Sequence, residues 1–301
     1  MTGKKKSCGF VSIIGAPNAG KSTLINRLVG AKVSIVSPKV QTTRTRVMGI
    51  VNRGRTQIVF VDTPGIFTPR KRLDRAMVSA AWQGTNDAEL ILLLIEVSRG
   101  KINSDSLAIV DKLKAQNRKA VLVLNKIDLV EKDQLLKISS EFYETGVFTD
   151  IYMISALSGD GVDRLLQDIS GKMPEGPWMF AADQISDMPM RLLAAEITRE
   201  KIFLQLKEEL PYASTVETET WEEFGNGSVK ISQVIYVMRD SQKAIILGKG
   251  GAQIKKIGAA ARVELEDIFD RRVHLSLFVK VRENWADDPE RYKEWGLDPN
   301  A

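Results

Sequence analysis

"GFVSIIGAPNAGKSTLINRLVG", Gly9 to Gly30, decides the fold of the front of this chain. Its opening "GFVSIIG" is short, apolar and rich in β-branched residues, which reads as a buried strand. Its end, "STLINRLVG", spaces Leu24 and Leu28 one helical turn apart and stops at Gly30. Between them "GAPNAGKST", Gly15–Thr23, fits G-x-x-x-x-G-K-[ST] in the strand–loop–helix setting that such a loop requires. Glycines let backbone N–H groups close around an anion, and the helix start adds positive potential. Lys21 is then expected to reach phosphate oxygens and the Ser22 hydroxyl to bind Mg²⁺. A structural glycine turn is the bland alternative, and the motifs further along weigh against it.

Outward from this loop, apolar runs alternate with helical stretches. "VMGIV" and "TQIVFVD" flank the turn residues "NRGR", a hairpin that sets one antiparallel strand beside an otherwise parallel sheet. "AELILLLIEV", "KAVLVLNK" and "DIYMIS" supply further buried strands, so a doubly wound α/β layer is expected over residues 1–172. Four short motifs then fall at strand carboxyl ends, where ligands of open α/β sheets bind. They are the glycine loop, "DTPG" at Asp62–Gly65, "NKID" at Asn125–Asp128 and "SAL" at Ser155–Leu157. Asp62 stands where a carboxylate holds Mg²⁺ through water, and Gly65 where an N–H meets the γ-phosphate.

This ordered set resembles the translation-factor-related GTPases, and it covers roughly the first 170 residues. The resemblance implies an α/β P-loop GTPase domain that binds GTP and GDP with Mg²⁺. The nucleotide-binding set is then Gly15, Ala16, Pro17, Asn18, Ala19, Gly20, Lys21, Ser22 and Thr23, with Asp62, Thr63, Pro64 and Gly65. Asn125, Lys126, Asp128, Ser155, Ala156 and Leu157 complete it around the base. Asp128 accepts two hydrogen bonds from a purine bearing N1–H and a 2-amino group, which guanine has and adenine lacks; such a site rejects the wrong base by about 10⁴-fold or more. Lys126 lays its stem along the base, Asn125 braces the loop, and the Ala156 N–H meets O6.

"SPKVQTTRTR", Ser37–Arg46, lies where a switch I loop belongs, and "TTR" resembles the effector motif of this group. Gln41, Thr42, Thr43, Arg44 and Thr45 are its candidate residues, with Thr43 the first choice as metal ligand and Thr42 the second. Lys21, Thr43 and Gly65 form the expected catalytic set, and Ser22, Thr43 and Asp62 the Mg²⁺ set. Where Ras-type enzymes carry a water-orienting glutamine after D-x-x-G, this chain has Ile66, so slow intrinsic turnover is expected. Asn18 matches the asparagine that in related GTPases helps to hold K⁺ against the phosphates, where it would offset charge developing in the transition state.

The pattern changes after residue 172. "GKMPEGPWMFAADQISDMP" has three prolines and no period, and residues 173–188 read as a linker. In residues 189–301 "RLLAAEITREKIFLQLKEEL" repeats Leu193, Ile197 and Leu204 at helical intervals, two strands follow around "GNGS", and "RRVHLSLFVKV" closes the order α-β-β-α-α-β. "ILGKGGAQIKKIG" carries a second glycine loop, Gly248, Lys249, Gly250 and Gly251, followed by Lys255 and Lys256. G-x-x-G is the loop with which KH domains clamp a nucleotide backbone. From Lys230 to Arg282 eleven Lys and Arg face five Asp and Glu, a local excess of +6 in a chain whose net charge is +5. One cradle is therefore expected to hold a mononucleotide and the other an RNA strand.

A GTPase domain, a linker and a type II KH domain, with "QTTR", "LPY" and "VKVRENWADD" in place, resemble the Era family of bacterial ribosome-assembly GTPases over nearly the whole chain. That resemblance implies binding to small-subunit ribosomal RNA near its 3′ end and to the 30S particle, under nucleotide control. The alternatives are a passive RNA-binding protein with a structural nucleotide pocket, or a GTPase acting on another RNA. Cys8 is the only cysteine, which excludes an intrachain disulfide, and the basic N-terminus lacks the apolar core of a secretory signal. The chain is expected to be a cytoplasmic monomer; its basic region also allows peripheral contact with the inner face of the cell membrane. His274 reads as a strand-face residue, and Trp285 and Trp295 as packing anchors.

Overall fold

The computed structural model describes residues 5–39, 42–98, 102–288, 291–292, 295–298 and 300–301. The chain divides into two compact units, one of Met1–Ser34, Thr43–Asp187 and Tyr292–Ala301, the other of Ile35–Thr42 and Met188–Arg291.

In the first unit β1 (Ser7–Ile14), β3 (Thr56–Asp62), β4 (Leu90–Glu96), β5 (Ala120–Asn125) and β6 (Phe148–Ile154) run parallel, and β2 (Val47–Arg53) pairs antiparallel at the edge. The strand order is β2-β3-β1-β4-β5-β6, with Val11 opposite Phe60 and Ile13 opposite Leu92. Helices α1 (Lys21–Val29), α2 (Arg72–Gln83), α3 (Ser104–Ala115), α4 (Lys132–Glu144) and α5 (Val162–Gly171) connect the strands. β5 is buried along its whole length because helices cover both faces of a parallel sheet, which is why its sequence is a run rather than an alternation. Truncating Leu122 or Leu124, both fully buried, would cost about 2–5 kcal/mol. α1 buries Leu24, Ile25 and Leu28 and ends at Gly30 in the left-handed conformation; α3 starts where Asn103 Oδ1 accepts the Ser106 N–H at 2.7 Å.

The proline-rich segment 173–187 is laid along this unit. Cys8 N–H donates to Pro174 O, Ile50 N–H to Ile185 O, and Gln57 Oε1 accepts from both Met179 and Phe180 N–H. These bonds satisfy the open edge of β2 and the end of β1, and they are why a stretch without periodicity is ordered.

The second unit has a three-stranded sheet, β7 (Ser214–Glu223) antiparallel to β8 (Val229–Val237) and β8 parallel to β9 (Val273–Val281). α6 (Met190–Gln205), α7 (Asp240–Leu247) and α8 (Ala252–Phe269) pack with it, and α8 buries Ile257, Ala261 and Leu265, four residues apart each time. α6 departs from the expected stripe. Leu204 is 51 % exposed, whereas Glu196, Thr198, Arg199 and Glu200 are buried. The charged residues lie inside because Ile35–Thr42 packs in this unit, with Ile35 in one core with Ala194, Ile197 and Val229.

Trp285 and Trp295 are buried, Trp285 donating its indole N–H to Ala213 O at 3.0 Å. His274 is exposed on β9 and meets Phe224 edge-on. No described helix is long and apolar enough to cross a membrane.

Candidate functional site

The carboxyl ends of β1, β3, β5 and β6 meet at one edge of the first sheet, and all four motifs emerge there. β1 runs into Gly15, and the loop closes at Gly20, whose φ of +98° is left-handed. A Cβ there would stand 2.3 Å from Asn125 Nδ2, so glycine is required on two counts. Asn125 explains the closeness. Its Nδ2 donates to Ala19 O at 2.8 Å and its Oδ1 accepts the Ala156 N–H at 2.9 Å, so one amide ties the phosphate loop, the "NKID" turn and the "SAL" loop together. The Ala156 N–H assigned by sequence to guanine O6 is engaged with Asn125, and it would need a three-centre bond to serve both.

Lys21 is buried, and its Nζ donates to Gly15 O and Ala16 O at 3.1 Å each. Burial lowers its pKa from 10.5 to about 8, against the opposing pull of Asp62. Asn18 has left-handed backbone at φ +64°. Pro17 lies under the Gly65 backbone at 3.0–3.1 Å from where a Cβ would be, so the "DTPG" turn and the phosphate loop are in contact. Thr63 Oγ1 donates to Ile13 O at 2.8 Å, Pro64 is buried, and Thr23 is half-buried in α1. Ile66 is in the hydrophobic core, and its N–H donates to Gly15 O.

Four oxygen groups converge beside the loop. Ser22 Oγ lies 2.9 Å from Asp62 Oδ2 and 2.9 Å from Thr43 Oγ1, and Ser34 Oγ donates to Asp62 Oδ2 at 2.8 Å. Asp62 Oδ1 is buried without a hydrogen-bond partner. Burial raises the Asp62 pKa, opposed by Lys21 and by the hydroxyls of Ser34, Ser22 and Thr43. Two hydroxyls and a carboxylate with a free buried oxygen are hard donors of the kind Mg²⁺ takes together with substrate phosphates, so the residues fit that ion. Among the described residues no cluster of His, Cys, Asp and Glu could hold a metal by itself. Of the two threonines, Thr43 is at this cluster, while Thr42 Oγ1 donates to Lys39 O. Arg44 and Thr45 are buried, and Gln41 lies outside the described residues.

Lys126 has left-handed backbone at φ +67°, and its Nζ pairs with Glu96 Oε1 at 2.9 Å. Asp128 is exposed in the short turn Ile127–Leu129. Ser155 is buried, Leu157 is 75 % exposed, and Arg27 donates to the carbonyls of Ala156 and Leu157. Sequence reasoning missed Ser34 and Glu96. Glu96 carried a signal, since it ends a parallel strand on the ligand side of the sheet; Ser34, inside a loop, carried none.

In the second unit Gly248, Gly250 and Gly251 all have positive φ, at 69°, 59° and 78°. A Cβ on Gly248 would meet the Gln253 backbone nitrogen at 2.9 Å, so the loop turns tightly onto the start of α8. Lys249, Lys255 and Lys256 are exposed around it. A groove of ≈ 330 Å³ between α8 and β9 follows, with Ile254, Gly258, Leu275 and Leu277 as apolar floor and Lys255 and Arg262 at its edge. A basic turn leading into an apolar groove suits a strand whose backbone is clamped and whose bases are buried.

Comparison with known proteins agrees with both halves. The family described as 50S ribosome-binding GTPase matches residues 10–126, and the KH domain family matches residues 209–286. The chain is 61 % identical to GTPase Era of Rhizobium meliloti (strain 1021) over 96 % of its length and 92 % of that protein's. It is 60 % identical to GTPase Era of Agrobacterium fabrum over 96 % of its length and 91 % of that protein's. Among solved structures it is similar to Era in complex with MgGDPNP and nucleotides 1506–1542 of 16S ribosomal RNA, at TM-score 0.91 and 40 % identity over 97 % of this chain and 99 % of that one. A point variant of Aquifex aeolicus Era bound to GDP·AlF₄⁻ gives TM-score 0.90 at 40 % identity, over 96 % of this chain and 99 % of that one.

Proposed function

This chain belongs to the Era family of GTPases, and we propose from that premise that it hydrolyses GTP as a switch controlling attachment of its KH unit to small-subunit ribosomal RNA near the 3′ end, in the cytoplasm, during 30S maturation. The observation that carries this reading is the cluster in which Ser22 bonds Asp62 Oδ2 and Thr43 bonds Ser22 while Asp62 Oδ1 stays buried without a partner, with Thr43 next in the chain to a segment packed in the second unit. A passive pocket would have no use for a threonine delivered there by a loop.

The roles proposed for individual residues follow their geometry. Mg²⁺, when bound with the nucleotide, offsets charge on the phosphate oxygens. Ser22 and Thr43 present hydroxyls to it, and Asp62 holds a water in its shell. Lys21 exchanges the Gly15 and Ala16 carbonyls for phosphate oxygens, and the Gly65 N–H meets the γ-phosphate. Asp128 reads guanine. Asn18 is the proposed donor to K⁺, which would do part of the work that Ile66 cannot. Gly248–Gly251 with Lys249, Lys255 and Lys256 hold the RNA backbone, and bases enter the α8–β9 groove.

The test is RNA affinity measured with GDP and with a non-hydrolysable GTP analogue, on the free 3′ transcript and on immature 30S particles. Tighter binding in one nucleotide state is expected. Equal binding in both states, on both targets, defeats the switch.

A further inference from the structure

α6 buries three charged side chains, Glu196, Arg199 and Glu200. Arg199 is 1 % and Glu200 2 % exposed. Burying charge is costly unless the group is paired and bonded, and replacing such pairs by apolar residues is often neutral or stabilising. Their presence calls for a use beyond stability.

Arg199 and Glu200 each bond to the segment Ile35–Thr42 of their own unit. Glu200 Oε1 accepts the Val36 N–H at 2.8 Å. Arg199, oriented by Glu196 through Nε at 2.7 Å, donates Nη2 to the carbonyl of Thr42. Between these points Lys39 Nζ donates to the carbonyls of Phe203 and Leu206 at the end of α6, where the helix dipole favours a cation. Residues 36, 39 and 42 are thus pinned to one helix. The Thr42 carbonyl belongs to the same planar peptide as the Thr43 nitrogen. Fixing that carbonyl fixes the plane from which the Thr43 side chain departs, and Thr43 Oγ1 lies 2.9 Å from Ser22 Oγ.

We infer that Arg199 and Glu200 are positioning residues for Thr43: by holding Ile35–Thr42 they set the peptide plane from which the Thr43 hydroxyl is presented to Mg²⁺ and the γ-phosphate. This rests on the reading of Thr43 as the metal-facing threonine. Coupling is reciprocal, so a nucleotide state that engages Thr43 also favours the α6-bound form of Ile35–Thr42.

The test uses the full chain with two sets of variants. In the first, Glu196→Leu with Arg199→Met removes the ion pair together, so no charge is left buried alone. In the second, Glu200→Ala removes the acceptor for Val36, and Glu200→Gln retains one. GDP affinity is expected to stay within about twofold of wild type, because switch I is ordered by the γ-phosphate and its Mg²⁺. The Mg²⁺ concentration needed for half-maximal binding of a non-hydrolysable GTP analogue should rise, and kcat should fall by about 10²-fold, the scale of a misplacement near 1 Å. Amide exchange at Val36 should accelerate in Glu200→Ala and recover in Glu200→Gln. Unchanged Mg²⁺ dependence and unchanged kcat in the folded variants overturn the assignment; should the double variant not fold, the Glu200 pair decides alone. RNA affinity of the wild type in both nucleotide states is measured in parallel. Equal affinity in the two states defeats the switch, whereas the metal and exchange readouts judge the positioning role separately.

Discussion

Lys21 offers a test that can be worked through from its surroundings. The protein's own groups make this a poor place for an ammonium: burial brings its pKa from 10.5 to about 8, and two carbonyls at 3.1 Å with one carboxylate only partly compensate. Below pH 8 both the folded and the unfolded chain carry the proton, so the full penalty, about 3 kcal/mol, is present at pH 7. It fades as pH rises from 8 towards 10.5, because the folded form sheds the proton first. Phosphate oxygens around Nζ restore the charged form and return the pKa to at least its ordinary value. Nucleotide binding therefore takes up a proton in the alkaline range, about half of one at pH 8 and about 0.9 at pH 9, and affinity falls by about tenfold between pH 7 and pH 9. Calorimetry of GDP binding in two buffers of different ionisation enthalpy, at pH 7 and pH 9, counts the protons directly. Lys21→Met completes the test. It abolishes nucleotide binding yet relieves the buried charge; with about 1 kcal/mol allowed for each lost hydrogen bond, about 1 kcal/mol of net stabilisation remains, a rise in apo Tm of about 2–4 °C. No proton uptake at pH 9, together with a lowered apo Tm in Lys21→Met, would refute the reasoning.

Three further outcomes are expected. Asn125→Ala leaves Ala19 O and the Ala156 N–H unpaired, at about 1–3 kcal/mol each, and should weaken guanine-nucleotide binding by more than tenfold; a Kd within twofold of wild type contradicts the brace. Burial raises the Asp62 pKa above 3.8, and only the ionised form suits Mg²⁺, so the Mg²⁺ needed for hydrolysis should increase as pH falls, and at a higher pH in Ser34→Ala, which loses a bond to the carboxylate; Mg²⁺ titrations that coincide at every pH from neutrality down towards 3.8 count against it. Reversing Lys249, Lys255 and Lys256 to Glu should lower RNA affinity and flatten its log–log salt dependence by about 2, from about 0.7 per phosphate contact on a single strand; an unchanged slope moves the RNA elsewhere.

Much of the candidate site could be read from local pattern. "GAPNAGKST", "DTPG", "NKID" and "SAL" each end a strand, and the glycines at 15, 20, 248, 250 and 251 are needed by backbone angles or close approaches that no other residue meets cheaply. Other features were illegible for a common reason. Leu204 fits the helical stripe of α6 and is exposed, while Arg199 and Glu200 break the stripe and are buried, because what α6 covers is a loop more than 150 residues earlier. The proline-rich segment has no periodicity because its backbone is satisfied by β1 and β2 rather than by itself.

From sequence alone came the order of the strands, and the two glycine cradles with the chemistry expected of each, since turn geometry, helix starts and strand periodicity are set by residues a few positions apart. Tertiary packing alone decided that Thr43 rather than Thr42 stands with Ser22 and Asp62, that Asn125 ties three motifs with one amide, and that buried charges of α6 hold the loop leading to Thr43. Those contacts join residues 21 to 164 positions apart, and only the closing of a core, which sets burial and hydrogen-bond partners together, selects among the side chains that local pattern leaves equivalent.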